Sequence, residues 1–288
     1  MTSTRPNEGV PRDAHLRLLH CDDIPQAWNL SALAGWNQTA EDWQLLLELA
    51  PGGCFCLECD RTVVATATLL AYEKRLGFVG MVLTHPDYRR RGYARQLLIE
   101  VLARASEIGI QTLKLDATEL GEPLYRSLGF RREQAIERWW RAESPAHRPR
   151  IPAAACDLSP WLDLDAEAFG ADRSLLLEKL AERGQGFVNE EGFLLSRPGR
   201  TSTFLGPCLA RSRDAATALF TRALEAGAPG WMWDLFPRNR QAVGLATELA
   251  FQPARRLTRM VFGPGPGPAP APDGDEERVY AGAGFELG

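Results

Sequence analysis

Hydrophobic positions along this chain switch between two spacings, and the switches outline strands and helices in turn. "EDWQLLLELA" (41–50) places its apolar residues three and four apart and runs into "PGG" (51–53), which predicts a helix ended by breakers. "CFCLE" (54–58) and "TVVATATLLAY" (62–72) predict two strands joined by a turn at Asp60 and Arg61, and "LGFVGMVLT" (76–84) predicts a third. Ala94, Leu97, Leu98, Val101, Leu102, Ala105 and Ile108 then fall on one face of a helix of about four turns, which Gly109 stops. "QTLKLDAT" (111–118) reads as a strand. "EPLYRSLGF" (122–130) reads as a short helix with Pro123 in its first turn and Gly129 as its stop.

The second half repeats the first. "LGPCLARSRDAATALFTRALEAG" (205–227) parallels "VGMVLTHPDYRRRGYARQLLIEVL" (79–102). Gly206 answers to Gly80 at an offset of 126, and Ala216, Leu219 and Phe220 answer to Ala94, Leu97 and Leu98 at an offset of 122. The second copy is therefore shorter by four residues, at about the place of "RRRG". "LAF" (249–251) answers to "LGF" (128–130), and Ala246 takes the place of Tyr125. The expected fold is α/β with a mixed sheet, in two units, residues 1–141 and 154–288, joined by the proline-rich, charged linker 142–153. "VFGPGPGPAPAPDGDEE" (261–277) should be an extended surface loop, and "RVYAGAGFELG" (278–288) a closing strand.

Composition fits two cores: 288 residues, 45% hydrophobic, with 8 Trp and 12 Phe. A net charge of -4 gives no overall basic field, so no nucleic-acid partner is expected. The start "MTSTRPNEGVPRDAH" has no apolar leader segment, and no uninterrupted apolar run reaches about 18 residues. A cytoplasmic protein without a membrane partner is the expectation. Cys54, Cys56 and Cys59 are the one cysteine cluster; with no fourth ligand nearby no metal is expected, and Cys54 and Cys56 read as neighbours on one strand face.

The chemistry lies in "YRRRGYARQLL" (88–98). A strand, a tight loop holding Gly92 and a helix starting at Tyr93 bring unpaired backbone N–H groups to one point, where the helix terminus adds partial positive charge. That is a cradle for an anion, spaced neither as a P-loop nor as a dinucleotide fingerprint. The competing reading is three solvated arginines.

Context favours the cradle. "LTHPDYRRRGYARQLL" after a strand, with "LYRSLGF" about 30 residues on, resembles the GNAT superfamily of acetyl-CoA-dependent N-acetyltransferases, whose loop pattern is V-x-P-x-x-Q/R-x-x-G-x-G/A. Thr84 stands for the usual valine, while Pro86, Arg89, Gly92 and Ala94 match. The second copy, together with "GWNQTAEDW" (35–43), "LDAT" (115–118) and "GAGFELG" (282–288), is similar to tandem-GNAT proteins with a degenerate C-terminal domain. The resemblance implies two GNAT folds, of which the first binds acetyl-CoA.

It also implies roles. Val82, Leu83 and Thr84 would hold the pantetheine arm and the acetyl carbonyl on a strand that splays from its neighbour. Arg89, Arg90, Arg91, Gly92, Tyr93, Ala94 and Arg95 would surround the pyrophosphate. Tyr125 matches the tyrosine that protonates the departing thiolate, and Asp116 the acid that takes a proton from the amine. Thr118 stands where family members often carry a CoA-binding asparagine, and the loop from Asp116 to Tyr125 is shorter than usual.

The chemistry asked of these groups is modest: a primary amine is almost wholly protonated at pH 7, so a base must free it before attack. Strand amides near Leu83 would steady the oxyanion. Trp36 and Asn37, on the helices that cover the acceptor pocket in GNATs, and Asp234 and Asn239, at a strand end of the second unit, are candidate substrate ligands; core packing and helix capping are their plainer readings. His85 reads most simply as a turn residue. The expected reaction is acetyl transfer to a small-molecule primary amine by a monomer or homodimer. The alternatives are a non-catalytic CoA- or amine-binding sensor and a protein N-terminal or lysine acetyltransferase.

Overall fold

Asp60 and Arg61 both adopt left-handed backbone (φ 48° and 64°), so the chain reverses within two residues. The flanking segments β2 (Cys54–Cys59) and β3 (Thr62–Tyr72) therefore pair antiparallel. The computed structural model describes residues 14–142, 156–263 and 277–288. In the first half β1 (His15–Leu18), α1 (Ile24–Leu33) and α2 (Ala40–Leu49) precede β2. After β3 come β4 (Leu76–Thr84), α3 (Tyr93–Glu107), β5 (Thr112–Ala117), α4 (Glu122–Ser127) and β6 (Arg131–Ala142). The second half runs α5 (Leu162–Phe169), α6 (Ser174–Arg183), β7 (Gln185–Asn189), β8 (Gly192–Arg197), β9 (Thr203–Ala210), α7 (Arg213–Glu225), β10 (Gly230–Leu235), α8 (Arg240–Glu248), β11 (Gln252–Phe262) and β12 (Val279–Ala281).

These elements build one mixed sheet in the order β1-β2-β3-β4-β5-β11-β6-β10-β9-β8-β7, with β12 added to β9. The middle of that order departs from two separate domains. β11, from the second half, lies between β5 and β6, and β6, from the first half, lies between β11 and β10. Each half thus lends its last long strand to the other, and the ladder runs unbroken across the molecule. Ala142, the first residue of the expected linker, is the last residue of β6 and pairs with Gly230; linker positions 143–153 lie outside the described residues. Val261 and Phe262, read from sequence as the start of the Gly/Pro loop, belong to β11, and loop residues 264–276 lie outside the described residues.

The helices divide the apolar residues among three cores. On one face α3 and α4 bury Leu97, Val101 and Tyr125 against the first half, and α7 and α8 bury Leu219, Phe220 and Leu245 against the second. The Phe220 ring stacks 3.9 Å from Trp233. On the opposite face α1, α2, α5 and α6 share a single core that includes Trp43, Leu46, Trp161 and Leu177. The halves therefore meet on the α1/α2 face of the sheet. Removing so many large side chains from water is the main stabilising term of the fold, at about 1.5–3 kcal/mol for each fully buried Leu or Phe.

Cys54 and Cys56 face this shared core, where burial pushes their thiols up to about 12 and about 11; Cys59 faces the other way, with Sγ 3.7 Å from the Tyr93 hydroxyl. Among the described residues no group of three or more His, Cys, Asp or Glu stands close enough to hold a metal ion, and no helix is long and apolar enough to cross a membrane.

Candidate active site

β4 carries one residue too many for its ladder with β3. Thr66 opposes Leu83 and Thr68 opposes Gly80, so Met81 and Val82 share the place across from Ala67. Met81 takes a left-handed φ of 47°, a strained conformation for an unbranched apolar residue, and Thr66 Oγ1 donates 2.8 Å to its carbonyl. On its other side β4 pairs with β5 only from Leu76 to Phe78. From Val79 to Thr84 the two strands diverge, while β5 turns to β11 for partners. Bulge and divergence together leave the backbone of Val82, Leu83 and Thr84 facing a V-shaped opening.

The loop after β4 closes that opening at one end. Arg90 and Gly92 both take left-handed backbone (φ 62° and 82°), and α3 begins at Tyr93. The first intrahelical donor is Gln96 N, to Gly92 O, so the earlier amides have no acceptor within the helix. A Cβ at Gly92 would meet nothing within 4 Å, so the glycine serves the backbone angle and faces open space. The arginine side chains are mostly engaged locally. Arg89 Nε donates to Thr84 O (3.3 Å) and Arg91 Nη2 to Asp87 O (3.1 Å), with the Arg91 guanidinium over the Tyr88 ring. Arg95 Nη1 donates to Ser127 Oγ (3.0 Å), which ties α3 to α4. Ala94 is half-buried, and the Tyr93 ring packs into the α3/α4 core. This constellation fits a diphosphate: free main-chain donors at a helix start, with guanidinium groups around them. His85 accepts from Asp87 N through Nδ1 (3.3 Å) and caps the short turn before the loop.

Tyr125, on α4, is 8% exposed, edge-on to Phe130 in the same core as Tyr93. Burial pushes its phenol well above the usual tyrosine value, so it holds its proton. Thr118 Oγ1 accepts from Gly121 N (3.1 Å) and its carbonyl accepts from Gly121 N and Glu122 N, which folds the β5–α4 turn.

Asp116 is not free. Its carboxylate, wholly buried, accepts two hydrogen bonds from Arg259 of β11, Nε to Oδ1 at 2.9 Å and Nη2 to Oδ2 at 2.8 Å. Burial works against the Arg259 charge, yet Asp116 holds its guanidinium above the ordinary arginine value. Asp234 is locked in the same way by Arg138 of β6, with two contacts of 2.7 Å. Two bidentate pairs thus cross the exchanged strands on the face where the halves meet.

The other sequence candidates divide. Asn37 spends its carboxamide on the second half: Nδ2 donates to Ser202 O, and Oδ1 accepts from Thr201 N, Thr201 Oγ1 and Ser202 N at 2.9–3.1 Å. These bonds make it a staple between halves. Trp36 packs partly buried on the shared core, and its carbonyl accepts from Arg200 Nε. Asn239 caps α8 through Ala242 N and donates to the carbonyls of Glu277 and Val279.

Sequence reasoning missed the chain's last stretch as a site element. β12 pairs with β9, Gly282 N donates to Asp234 O on β10, and Trp233 Nε1 donates to Tyr280 O. β9 and β10 pair only from Thr203 to Leu205, so β12 occupies the opening that corresponds to the one between β4 and β5. The chain then crosses to the first half. Glu286 lies against Gly80, where an added Cβ would sit 2.9 Å from its carbonyl oxygen, and Tyr72 Oη donates to Leu287 O (2.6 Å). Gln38 Nε2 and Arg197 Nη2 donate to the Glu286 carboxylate at 2.9 and 3.1 Å. No local pattern signals Arg259, Arg138 or Arg197, because their partners lie far away in sequence.

Comparison with known proteins agrees with this geometry. Residues 20–130 match the model of the acetyltransferase (GNAT) family, and residues 161–281 match that of an acetyltransferase (GNAT) domain. The uncharacterized N-acetyltransferase YitH of Bacillus subtilis is 26% identical over 226 residues, covering 74% of this chain and 79% of YitH. A mycothiol acetyltransferase of Parafrankia is 28% identical over 221 residues, 66% of this chain and 67% of that protein. Among solved structures, a candidate acetyltransferase from Pyrococcus horikoshii superposes with a TM-score of 0.82 at 21% identity, over all of both chains. A tandem GNAT protein of the clavulanic acid biosynthesis pathway has a TM-score of 0.60 at 16% identity, over 88% of this chain and 99% of that one. With a GNAT domain in each half and the acetyltransferase constellation in the first, the chain belongs to the GNAT acetyltransferases as a tandem-domain acyltransferase.

Proposed function

We propose that the first half transfers the acetyl group of acetyl-CoA to a primary amine of a small molecule, by direct attack with both substrates bound. Acetyl-CoA would supply an activated acyl thioester; the chain's residues supply position and protons. The observation that carries this reading is the divergence of β4 from β5 at Val79, aligned with the free amides at the start of α3. The amides of Arg90–Ala94 would hold the diphosphate, and the backbone turned out by the Met81 bulge would orient the pantetheine arm and the acyl carbonyl. Tyr125, kept neutral by burial, is the proton donor for the leaving thiolate.

Proton balance needs one base. The ammonium gives up a proton before attack; the N–C bond then forms as the C–S bond breaks. The second amine proton replaces the one Tyr125 delivers. Asp116 is engaged through both oxygens by Arg259, so its part is to hold the exchanged strand β11 and its charge in place. The second half shares a core with α1 and α2, which would close the acceptor side and supports small acceptors over polypeptides.

The test is CoA-thiol release over a panel of amines, amino acids and polyamines, with CoA binding measured by calorimetry. Turnover of at least one amine, with Tyr125→Phe losing it while still binding CoA, is expected. No CoA uptake would end the reading.

A further inference from the structure

We propose that Gln38, Arg197 and Glu286 form the acceptor subsite, and that it receives an amine carrying a carboxylate beside it, the head group of an amino acid. This inference rests on the acetyl-transfer reading above and names its substrate class.

The three residues come from distant segments: the stretch just before α2, the end of β8 and the final turn. All are buried, at 5%, 7% and 3% exposure. Gln38 Nε2 donates to Glu286 Oε2 and Arg197 Nη2 to Glu286 Oε1, which fixes the orientation of both side chains. Reversing the Gln38 amide would set its oxygen against the carboxylate, so Oε1 is the atom that points elsewhere. Gln38 Oε1 and Arg197 Nη1 have no hydrogen-bond partner among the described residues. Buried polar atoms are normally paired, and here an acceptor and a cationic donor are left without partners among the described residues, one beside each oxygen of a single carboxylate.

The chemistry of those open positions selects the ligand. An ammonium satisfies Gln38 Oε1 and shares Glu286; a carboxylate satisfies Arg197 Nη1. The Phe204 ring covers the flat face of the Arg197 guanidinium, at 4.4 Å from Cζ, and so leaves its edge for a planar anion. Charge points the same way. The groups acting on Glu286 are Arg197, Asp42 (whose Oδ1 is 3.4 Å from Arg197 Nε) and Arg138, itself held by Asp234. With Glu286, Asp42 and Asp234 set against Arg197 and Arg138, the set has no spare positive charge for a second carboxylate, so a dicarboxylate would leave one uncompensated.

Position links the cluster to the reacting strand. Glu286 sits on Gly80, two residues before Val82, and Thr68, across from Gly80, has a buried hydroxyl that is also without a partner among the described residues. Burial raises the Glu286 carboxyl above the usual range, which suits a group that takes a proton from an ammonium.

The experiment measures CoA-thiol release by the full chain with matched sets: each L-amino acid, its decarboxylated amine and its α-amide. At least one amino acid should exceed both partners in kcat/KM by about tenfold or more, the worth of a charge-assisted contact. Gln38→Leu should raise the KM for that amino acid and leave CoA affinity unchanged. Arg197→Gln should erase the preference; if that variant does not fold, the Gln38→Leu KM decides alone. Amines lacking a carboxylate turned over equally well overturn the inference and leave acetyl transfer standing, as does an unmoved KM in Gln38→Leu. CoA binding without turnover of any amino acid also overturns it. Absence of CoA binding overturns the inference and the underlying reading together.

Discussion

Asp116 separates two accounts of this site, and a double-mutant cycle with Arg259 decides between them. Asp116→Leu leaves a guanidinium between the Phe78 and Phe236 rings, 5.1 and 4.9 Å from their centroids, without its bidentate partner. Removing one member of a buried pair costs about 3–5 kcal/mol, because the other charge stays desolvated. Arg259→Met should cost a similar amount, since the Asp116 side chain has no exposed surface through which to recover water. The double variant replaces both charges with apolar groups and should cost far less than the sum, with a coupling of about 3 kcal/mol or more. In urea the single variants should lower the midpoint at unchanged slope, and by heat each should melt roughly 6–10 °C lower, at about 2 °C per kcal/mol for a chain of this size class. The isosteric Asp116→Asn should keep kcat within about tenfold of wild type, less than a general base is worth. Additive single variants, or an Asp116→Asn protein of full stability whose kcat collapses, would refute the ion-pair reasoning and return Asp116 to the role of base.

Further outcomes follow from the geometry. Gly92→Ala should cost about 1–2 kcal/mol, read by urea unfolding, from the left-handed φ alone, since no atom crowds the new Cβ; calorimetry should show CoA affinity reduced at least tenfold. Tyr125→Phe should lower kcat by about a hundredfold or more at unchanged CoA affinity. Because burial raises this phenol, the proton-bearing form persists above the ordinary tyrosine value, and a wild-type pH–rate profile should show no loss from it up to about pH 10. The same raised value gives a stabilising contribution that is complete below about pH 10 and is lost as pH climbs through the folded-state value. Asn37→Ala should strip the acceptor from the buried Ser202 amide and destabilise by about 1–3 kcal/mol in urea without changing the KM of acetyl-CoA; an unaltered midpoint with a raised amine KM would make Asn37 a ligand instead.

How much of this was legible in the sequence follows from the range of the forces. β4 spans the stretch read as "LGFVGMVLT", α3 covers the periodic residues from Ala94 to Ala105 and leaves Ile108 as its cap, and the turn falls at Asp60 and Arg61, because spacing and left-handed positions are local properties of a backbone. The cradle was visible for the same reason: a glycine between a strand and a helix is a local signal. Gly206 and Gly80 do occupy corresponding strands, and Ala246 stands on α8 where Tyr125 stands on α4. The exchange of β6 and β11 was not legible, since neither strand's pattern says which ladder it joins. Nor was the role of the chain's last turn, whose Glu286 finds Gln38 at a separation of 248 residues.

The sequence by itself determined many of the elements, the likeness of the two halves and the strand–glycine–helix loop, all read from patterns a few residues long. Tertiary structure alone decided which charges are spent and which are open. Asp116 and Arg259 are 143 residues apart, and only the register of β5 against β11 brings them face to face. An ionisable group's chemistry depends on its nearest opposite charge and on the water around it. Folding sets both.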